Sequence, residues 1–198
     1  MFPATLETDR LEFERLSAET IDPLALYEHT SRQNSTIEAE TEYLPWTPTE
    51  SVGEAADRLE AFDRQWDERE RADWLLRPKA DEDGAGEIAG TATLVLHWDR
   101  ELALPGIWLR KPFWGRGYSG ERADALLEVA FDRLDLSLVA IPVHGENERS
   151  YRAVRKYVER HGGRYEGLLR NHAAREEGPI DHHRFSISRQ EYERSGGS

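Results

Sequence analysis

Seven residues just past the middle of the chain, WGRGYSG, contain three glycines whose spacing could serve chemistry. Gly115, Gly117 and Gly120 match G-x-G-x-x-G, which binds a dinucleotide pyrophosphate when it directly follows a strand and opens a helix. The same residues could form an ordinary strand-to-helix connection, because glycine adopts positive φ at little cost. A third interpretation is a cradle of backbone N–H groups at a helix N-terminus, where Arg116 would add a charge-assisted contact to a phosphate.

The segments on either side of this loop disfavour nicotinamide binding. Residues 110–114 separate the predicted strand GIWL, 106–109, from Gly115, whereas the dinucleotide fingerprint requires a tight turn directly after the strand. Glu146 follows the next strand as the acidic residue of that fingerprint would, but its spacing is a loose match. Too little chain follows for a second mononucleotide-binding half. The loop is therefore either a phosphate cradle or an ordinary connection.

A helix must position the glycine loop, and the sequence predicts one directly behind it. In GERADALLEVAFDRL, 120–134, apolar residues recur at the i, i+3, i+4 spacing of an amphipathic helix. The run LSLVAIPV, 136–143, is typical of a strand buried on both faces, and 147–163 is a helix ended by glycines. Together with the strand before the loop, these elements form one β-α-β unit.

The pattern of the whole chain predicts an α+β fold. We predict a single domain over 1–192 and a flexible tail over 193–198. The segment HAAREEGPID, 172–181, is predicted to be a mobile loop between the two closing strands. The predicted strands outside the β-α-β unit are 11–16, 72–78, 87–98, 163–171 and 182–188, and the predicted helices are 19–31 and 52–70.

The charge of the chain is strongly negative. Its 198 residues include 39 Asp and Glu against 26 Lys and Arg, which gives a net charge of −13, and only three of the basic residues are lysines. This balance disfavours DNA or RNA as a partner, because phosphate binding requires a basic surface. An acidic, lysine-poor surface resembles that of proteins adapted to a high-salt cytoplasm, where salt screens self-repulsion.

Composition disfavours several other kinds of site. The chain has no cysteine, so disulfides and thiolate metal sites are excluded. His182 and His183 alternate on a predicted strand without a ligand partner at useful spacing, so no metal site is predicted. No apolar run approaches the about 20 residues of a membrane span, and the first ten residues lack the pattern of an export signal. The expected location is the cytoplasm, without a membrane partner.

Six segments, in order, resemble one enzyme family. GIWLRKPFWGRGYSGERADALLEVAF is similar to the acetyl-CoA motif of the GNAT acetyltransferases, Q/R-x-x-G-x-G/A, with Trp114, Gly117 and Ser119 at the motif positions. Tryptophan at the first position, within WGxGY, is usual in the branch of ribosomal-protein N-terminal acetyltransferases. The other segments that resemble this branch are ETDRLEFERL (7–16), YLPW (43–46), GENERSYRAV (145–154), YEGLLRN (165–171) and DHHRFSISRQEY (181–192).

The resemblance implies a fold and a cosubstrate. The family fold is a mixed, mostly antiparallel sheet of about seven strands with two splayed parallel central strands, flanked by about four helices. Acetyl-CoA binds between the splayed strands, here GIWL and LSLVAIPV. By similarity, the backbone of Ile107, Trp108 and Leu109 would pair with the pantetheine arm. The pyrophosphate would bind the amides of Gly115, Arg116, Gly117, Tyr118, Ser119 and Gly120, and the cofactor arm would contact Asn147 and Ser150.

Asn147 also has a purely structural interpretation. It precedes a predicted helix, and asparagine is a favoured N-cap residue because its side-chain oxygen accepts from an unpaired amide of the first turn. The two roles are compatible.

The catalytic residues of the family are only partly present. Val154 stands where many relatives carry a tyrosine that protonates the leaving thiolate, which leaves Tyr151 and Tyr157 as candidates; Tyr157 is our assignment. Leu104 stands where many relatives of the branch carry a glutamate, so the nearest carboxylate, Glu101, is the candidate general base. Each tyrosine could instead be a packing residue, and Glu101 could be a solvated loop residue.

We therefore predict an acetyl-CoA-dependent N-acetyltransferase, a monomer or homodimer, whose favoured acceptor is a protein N-terminus of the ribosomal-protein type. Two alternatives stay open. The first is an acetyltransferase for a small amine, such as a polyamine, an amino acid or an aminoglycoside. The second is an acyl-CoA-binding module without catalysis.

Overall fold

The computed structural model describes residues 1–175 and 178–196, which fold into eight β-strands and six α-helices. The strands form one mixed sheet in the order β1-β2-β3-β4-β5-β6-β8-β7. The strands are β1 (Thr5–Glu7), β2 (Leu11–Arg15), β3 (Arg71–Pro78), β4 (Gly90–His97), β5 (Leu102–Leu109), β6 (Leu138–His144), β7 (Arg164–Arg175) and β8 (Gly178–Ser188). The helices are α1 (Pro23–Thr30), α2 (Ile37–Thr41), α3 (Val52–Asp67), α4 (Tyr118–Glu128), α5 (Glu148–Arg160) and α6 (Arg189–Arg194).

This architecture confirms the predicted α+β class and the mostly antiparallel sheet with one parallel pair. The parallel pair is β5 with β6, and its paired residues are Leu102 with Leu138 and Ala103 with Val139. The ladder therefore covers only the first two residues of the eight-residue strand β5.

The chain divides into two compact units, and the division cuts β4 and β5. The N-terminal unit comprises Phe2–Val95 and Gly106–Tyr118, and the C-terminal unit comprises Met1, Leu96–Pro105 and Ser119–Ser198. The prediction of a single domain over 1–192 stays a prediction.

In the N-terminal unit, β1, β2, β3 and the part of β4 up to Val95 pair in this order as antiparallel neighbours. Strand β2 alternates as its sequence predicts, with Leu11 and Phe13 buried and Glu12 between them exposed. Helix α3 begins at Ser51, whose side chain accepts from the amide of Glu54, and it buries Leu59 in an apolar cluster with residues of α1 and β3. The helix fits the prediction because its apolar residues recur along one face.

Gly90, at the start of β4, allows a close approach of two backbones. A Cβ atom at this position would lie 2.0 Å from the carbonyl oxygen of Trp108, in the second half of β5. The sequence predicts the cofactor strand over 106–109. The structure instead gives a strand that begins at Leu102, because residues 102 and 103 pair with β6.

In the C-terminal unit, β6 pairs with β8 along its whole length, from Leu138 opposite Ser188 to His144 opposite His182. Helix α4 continues into a π-helical turn, Val129–Arg133, so the predicted helix over 120–134 is confirmed in extent. Helix α6 begins at Ser188, which forms a capping box with Glu191.

The predicted mobile loop over 172–181 is wrong for its described residues. Strand β7 extends to Arg175 and β8 begins at Gly178, with Ala173 paired to Ile180 and Ala174 to Pro179. Residues 176 and 177 lie outside the described part of the chain. Of the predicted tail, residues 193 and 194 belong to α6, and residues 197 and 198 lie outside the described part.

Candidate active site

The glycine loop has the backbone conformation that its sequence suggests. Gly115 and Gly117 have φ values of 78° and 85°, in the region that side-chain-bearing residues rarely adopt. A Cβ atom built on Gly115 or Gly120 meets no atom within 4 Å, so the space beside these residues is open. Helix α4 begins at Tyr118, directly after the loop. The loop thus carries open backbone at the start of a helix, as a phosphate cradle requires.

Two side chains of the N-terminal unit, Arg10 and Glu82, contact this loop. Arg10 donates from Nη1 to the carbonyl oxygen of Arg116 at 2.8 Å, and its guanidinium lies 5.1 Å from the centre of the Tyr118 ring. The Tyr118 hydroxyl donates to Glu82 at 2.7 Å. Burial raises the pKa of Tyr118, and the Glu82 carboxylate raises it further, so the phenol keeps its proton. The loop is therefore braced by the turn that contains Glu82.

The guanidinium of Arg116, whose contact with a phosphate stays a prediction, is paired with Asp83 in this structure. It donates from Nη1 to the carbonyl oxygen of Asp83 at 2.6 Å and from Nη2 to the carboxylate of Asp83 at 2.9 Å. Its guanidinium also lies 5.0 Å from the centre of the Phe113 ring. Arg116 thus contributes to bracing the loop in the described structure.

The strand before the loop is held by Glu40, which is not among the predicted site residues. Trp108 is 3% exposed and donates from Nε1 to Oε2 of Glu40 at 3.2 Å. The backbone amide of Lys111 donates to the other carboxylate oxygen of Glu40 at 2.7 Å. Glu40 lies on the five-residue helix α2, which is too short for its periodicity to be recognised. Its buried position could be found only from the fold.

Asn147 and Ser150, two further predicted cofactor residues, lie at the start of helix α5. Asn147 is the N-cap, and its side-chain oxygen accepts from the amide of Ser150 at 2.9 Å. The structural role proposed for Asn147 is therefore confirmed. Contact of Asn147 and Ser150 with a cofactor stays a prediction.

Glu101, the candidate base, is exposed and has a positive φ of 47°. Its carboxylate accepts a short hydrogen bond from the hydroxyl of Ser137, and its carbonyl oxygen accepts from the amides of Ser137 and Leu138. Glu101 thus joins the beginnings of β5 and β6, six residues before Ile107.

Tyr157, the candidate acid, is 2% exposed beside the equally buried Arg122. Burial raises the pKa of Tyr157, and Arg122 opposes this shift. Burial lowers the pKa of Arg122, against the opposing influence of Tyr157 and Asp124. Among the described residues, neither the Tyr157 hydroxyl nor Nε and Nη1 of Arg122 has a hydrogen bond of ordinary geometry. Tyr151, the other tyrosine considered, packs edge-on against Phe185 at 5.2 Å.

A row of histidines crosses the C-terminal unit on β6, β8 and β7. The ring centres of His144 and His182 are 6.1 Å apart, and Nδ1 of His182 lies 3.4 Å from Nδ1 of His172. Burial, followed by the charges of His172 and His144, lowers the pKa of His182. Within residues 1–175 and 178–196, no group of three or more possible ligands could hold a metal ion.

Comparison with known proteins identifies the family. Residues 10–157 match the acetyltransferase (GNAT) domain, which is about three quarters of the chain. The chain belongs to the GNAT acetyltransferase family. It is 25% identical to the uncharacterized N-acetyltransferase p20 of Bacillus licheniformis over 95% of this chain and 98% of the relative. The GNAT assignment makes the protein an N-acetyltransferase.

Solved structures share the GNAT fold. The chain is similar to a proposed ribosomal-protein-serine acetyltransferase from Vibrio cholerae, with 21% identity, a TM-score of 0.71 and coverage of 95% of this chain and 99% of the other. It is also similar to the microcin C7 self-immunity acetyltransferase MccE, solved in complex with acetyl-CoA and AMP. That comparison gives 16% identity, a TM-score of 0.78 and coverage of 94% and 97%.

The residues of this GNAT domain fit the diphosphate end of acetyl-CoA. Positive φ at Gly115 and Gly117 and the open space beside Gly115 leave room for a phosphate group against the backbone at the start of α4. No helix in the described ranges is long and apolar enough to cross a membrane.

Proposed function

We propose that this protein transfers the acetyl group of acetyl-CoA to the N-terminal amino group of a protein, of the ribosomal-protein type. The main support for cofactor binding is the conformation of the glycine loop. Gly115 and Gly117 have positive φ angles, the space beside Gly115 is open, and the loop leads into a helix, which suits a pyrophosphate. The amides of Gly115–Gly120 would hold that group. The backbone of Ile107, Trp108 and Leu109 would pair with the pantetheine arm, and Asn147 and Ser150 would contact it.

Acetyl-CoA supplies an acetyl thioester: the C–N bond forms when the neutral amine attacks its carbonyl carbon, the C–S bond breaks, and the CoA thiolate leaves while the amine gives up a proton. The chain must then stabilise the oxyanion, which we assign to a backbone N–H of β5, because a fixed donor needs no reorganisation during the reaction. Glu101 as base and Tyr157 as acid stay predictions. The Tyr157 hydroxyl is enclosed in the described structure, so a bound thiolate would reach it only after a rearrangement.

Charge supports a protein acceptor. The chain carries a net charge of −13, which complements a basic protein at direct contact, the range over which charges still act in molar salt. The Vibrio cholerae protein of the same fold is described as a ribosomal-protein-serine acetyltransferase, which agrees with this acceptor class. The acidic, lysine-poor composition also supports work in a salt-rich cytoplasm, which we include in the proposal.

The test measures release of the CoA thiol with a panel of acceptors in molar salt. Peptides with a free N-terminal serine or alanine should turn over, and the same peptides with a pre-acetylated N-terminus should not. Mass spectrometry of the products should place the acetyl group on the α-amine. Turnover only with a polyamine, an amino acid or an aminoglycoside would replace the protein acceptor by a small amine. Binding of acetyl-CoA without turnover of any acceptor would indicate a binding module.

A further inference from the structure

The buried carboxylate of Glu40 lies beneath the part of the chain that we assign to acetyl-CoA binding. Glu40 is 6% exposed, and it reaches from α2 to residues 108 and 111, which flank the end of β5. All the groups involved belong to the N-terminal unit.

Both oxygens of Glu40 are fully used by hydrogen-bond donors. Oε1 accepts from the hydroxyl of Thr36 at 2.6 Å and from the amide of Lys111 at 2.7 Å. Oε2 accepts from Nε1 of Trp108 and from Nδ2 of Asn34, each at 3.2 Å. A carboxylate offers about four acceptor positions, and here each one has a donor. Glu40 therefore has no free lone pair with which to take a proton from an amine.

These contacts set the path of the backbone from the cofactor strand into the glycine loop. Trp108 also packs edge-on against Trp46 of the YLPW segment, with ring centres 5.8 Å apart. The Lys111 amide begins the 3₁₀ turn Lys111–Phe113, which leads into the loop. One carboxylate thus fixes two points that lie three residues apart in the chain.

We propose that Glu40 is a positioning residue that holds β5 and the entry to the glycine loop in the conformation that binds acetyl-CoA. The inference rests on the proposed cofactor binding by residues 107–109 and 115–120. Its physical basis is preorganisation: a strand and loop fixed before binding lose less conformational entropy when the ligand arrives. The carboxylate acts through Trp108 and Lys111 and touches no substrate.

The variant E40Q changes one oxygen to an NH2 group and keeps the size of the side chain. In one orientation the new NH2 faces the amide of Lys111, and in the other it faces the donors of Trp108 and Asn34, so at least one donor loses its acceptor. Asn34 cannot compensate by turning its amide, because its oxygen already accepts from the amide of Thr36. We expect the Kd and KM for acetyl-CoA to rise about tenfold, the equivalent of one lost charged hydrogen bond, while kcat changes less than about twofold.

Two control variants separate positioning from general destabilisation. E38Q lies on the same helix, where Glu38 is exposed and pairs only with Arg32 in the described contacts, at 2.9 Å, so its KM should stay unchanged. Leu59→Ala opens a cavity in the core of the same unit and should lower Tm without changing the KM for acetyl-CoA. A rise in KM with Leu59→Ala equal to that of E40Q would overturn the proposal.

A second variant, Trp108→Phe, keeps an aromatic ring against Trp46 and removes the indole N–H together with part of the buried ring. Its Kd for acetyl-CoA, measured by calorimetry, should rise, and E40Q should cost less in this background than in the wild type, because the shared hydrogen bond is already absent. Should E40Q not fold, the Trp108→Phe result decides, and an unchanged Kd would overturn the proposal.

The wild-type titration separates the two levels of inference. If the wild-type protein does not bind acetyl-CoA, both the proposed function and the role of Glu40 are wrong. If the wild type binds and E40Q binds equally well, only the role of Glu40 is wrong.

Discussion

Glu40 in the N-terminal unit and Arg122 in the C-terminal unit are both buried charged side chains, but their surroundings are opposite. Glu40 accepts from four donors, two of them on the cofactor strand or the turn after it. Arg122 lies beside a tyrosine, and its Nε and Nη1 lack hydrogen bonds among the described residues. A buried charge whose hydrogen bonds are all formed is costly to remove, whereas an incompletely bonded one is costly to keep. Removing the Glu40 carboxylate and removing the Arg122 guanidinium should therefore change stability in opposite directions.

Glu40→Ala should cause the largest loss of stability. The substitution leaves the buried indole N–H of Trp108 and the amide of Lys111 without an acceptor, so the free energy of unfolding should fall by about 3 kcal/mol. Urea denaturation of the variant and the wild type measures the difference. A loss below about 1 kcal/mol would mean that water replaces the carboxylate easily.

Arg122→Met should act in the opposite direction. Methionine is apolar and of similar length, and the exchange removes a buried charge that has incomplete hydrogen bonding. We expect a gain of about 1–2 kcal/mol in the free energy of unfolding, because exchanging buried ionic groups for apolar ones is often stabilising. Urea denaturation measures the difference. Arg133→Met, at an exposed position in the π-helical turn after α4, is the control. A clear loss of stability would show that Arg122 is better satisfied than its contacts indicate.

Salt should change the contribution of surface charges to stability and leave that of buried charges constant. Raising sodium chloride from 0.1 M to 1 M shortens the Debye length from about 10 Å to about 3 Å, which screens the repulsion that arises from a net charge of −13. We expect wild-type stability to rise by about 1 kcal/mol, or about 2–4 °C in Tm. The difference between Glu40→Ala and the wild type should stay constant over this range, because salt does not reach a buried carboxylate. A difference that shrinks with salt would contradict the burial of Glu40.

A smaller effect on stability should come from lowering the pH, through His182 in the row of histidines on β6, β8 and β7. The folded pKa of His182 lies below its unfolded value, because of burial and the nearby His172, His144 and Arg175, with Asp181 acting in the opposite direction. The unfolded chain therefore binds more protons below about pH 6.5, and stability should fall as the pH drops through the unfolded pKa towards the folded one. His182→Asn should lose less stability than the wild type between pH 7 and pH 5.5. Parallel pH curves for the two proteins would contradict this.

Tyr157→Phe decides between the predicted role of Tyr157 as general acid and the enclosed position of its hydroxyl, and the enclosed position favours the smallest effect. The enclosed hydroxyl has no ordinary hydrogen bond among the described residues, so its removal should change kcat less than about twofold and leave the pH profile of kcat unaltered. Steady-state kinetics from pH 6 to pH 10 measures both. A large fall in kcat with loss of the alkaline limb would instead support Tyr157 as the general acid.

The sequence predicted most elements of the site, because local patterns determine them. The glycine loop, the amphipathic helix behind it and the Asn147 cap all depend on residues that are close in the chain. Helix α6 was not predicted, although its capping-box signal, Ser188 with Glu191, is equally local. Family and fold followed from this order of local motifs.

The features that the sequence did not predict depend on distant contacts. The acceptor role of Glu40 joins residues 34 and 36 to residues 108 and 111, and the charge partner of Arg116 is 33 residues away in the turn at Asp83. The hairpin end of β7 and β8 contains the glycine and proline of a loop, but pairing between the strands overrides these local preferences. Neither kind of contact leaves a periodic pattern in one sequence.

The turn at residues 82–84 connects to the glycine loop through two contacts, Glu82 with Tyr118 and Asp83 with Arg116. Its Gly84 packs under the ring of Phe113, just before the loop, where a Cβ would lie 2.8 Å from Cε1. Asp83 is exposed, and Glu82 is partly exposed. For protein engineering, this turn offers positions for mutagenesis outside the residues assigned to the cofactor and to catalysis. A library randomised at Glu82 and Asp83 and selected for binding of different acyl-CoA compounds would tune the loop without altering any residue that we assign to the cofactor.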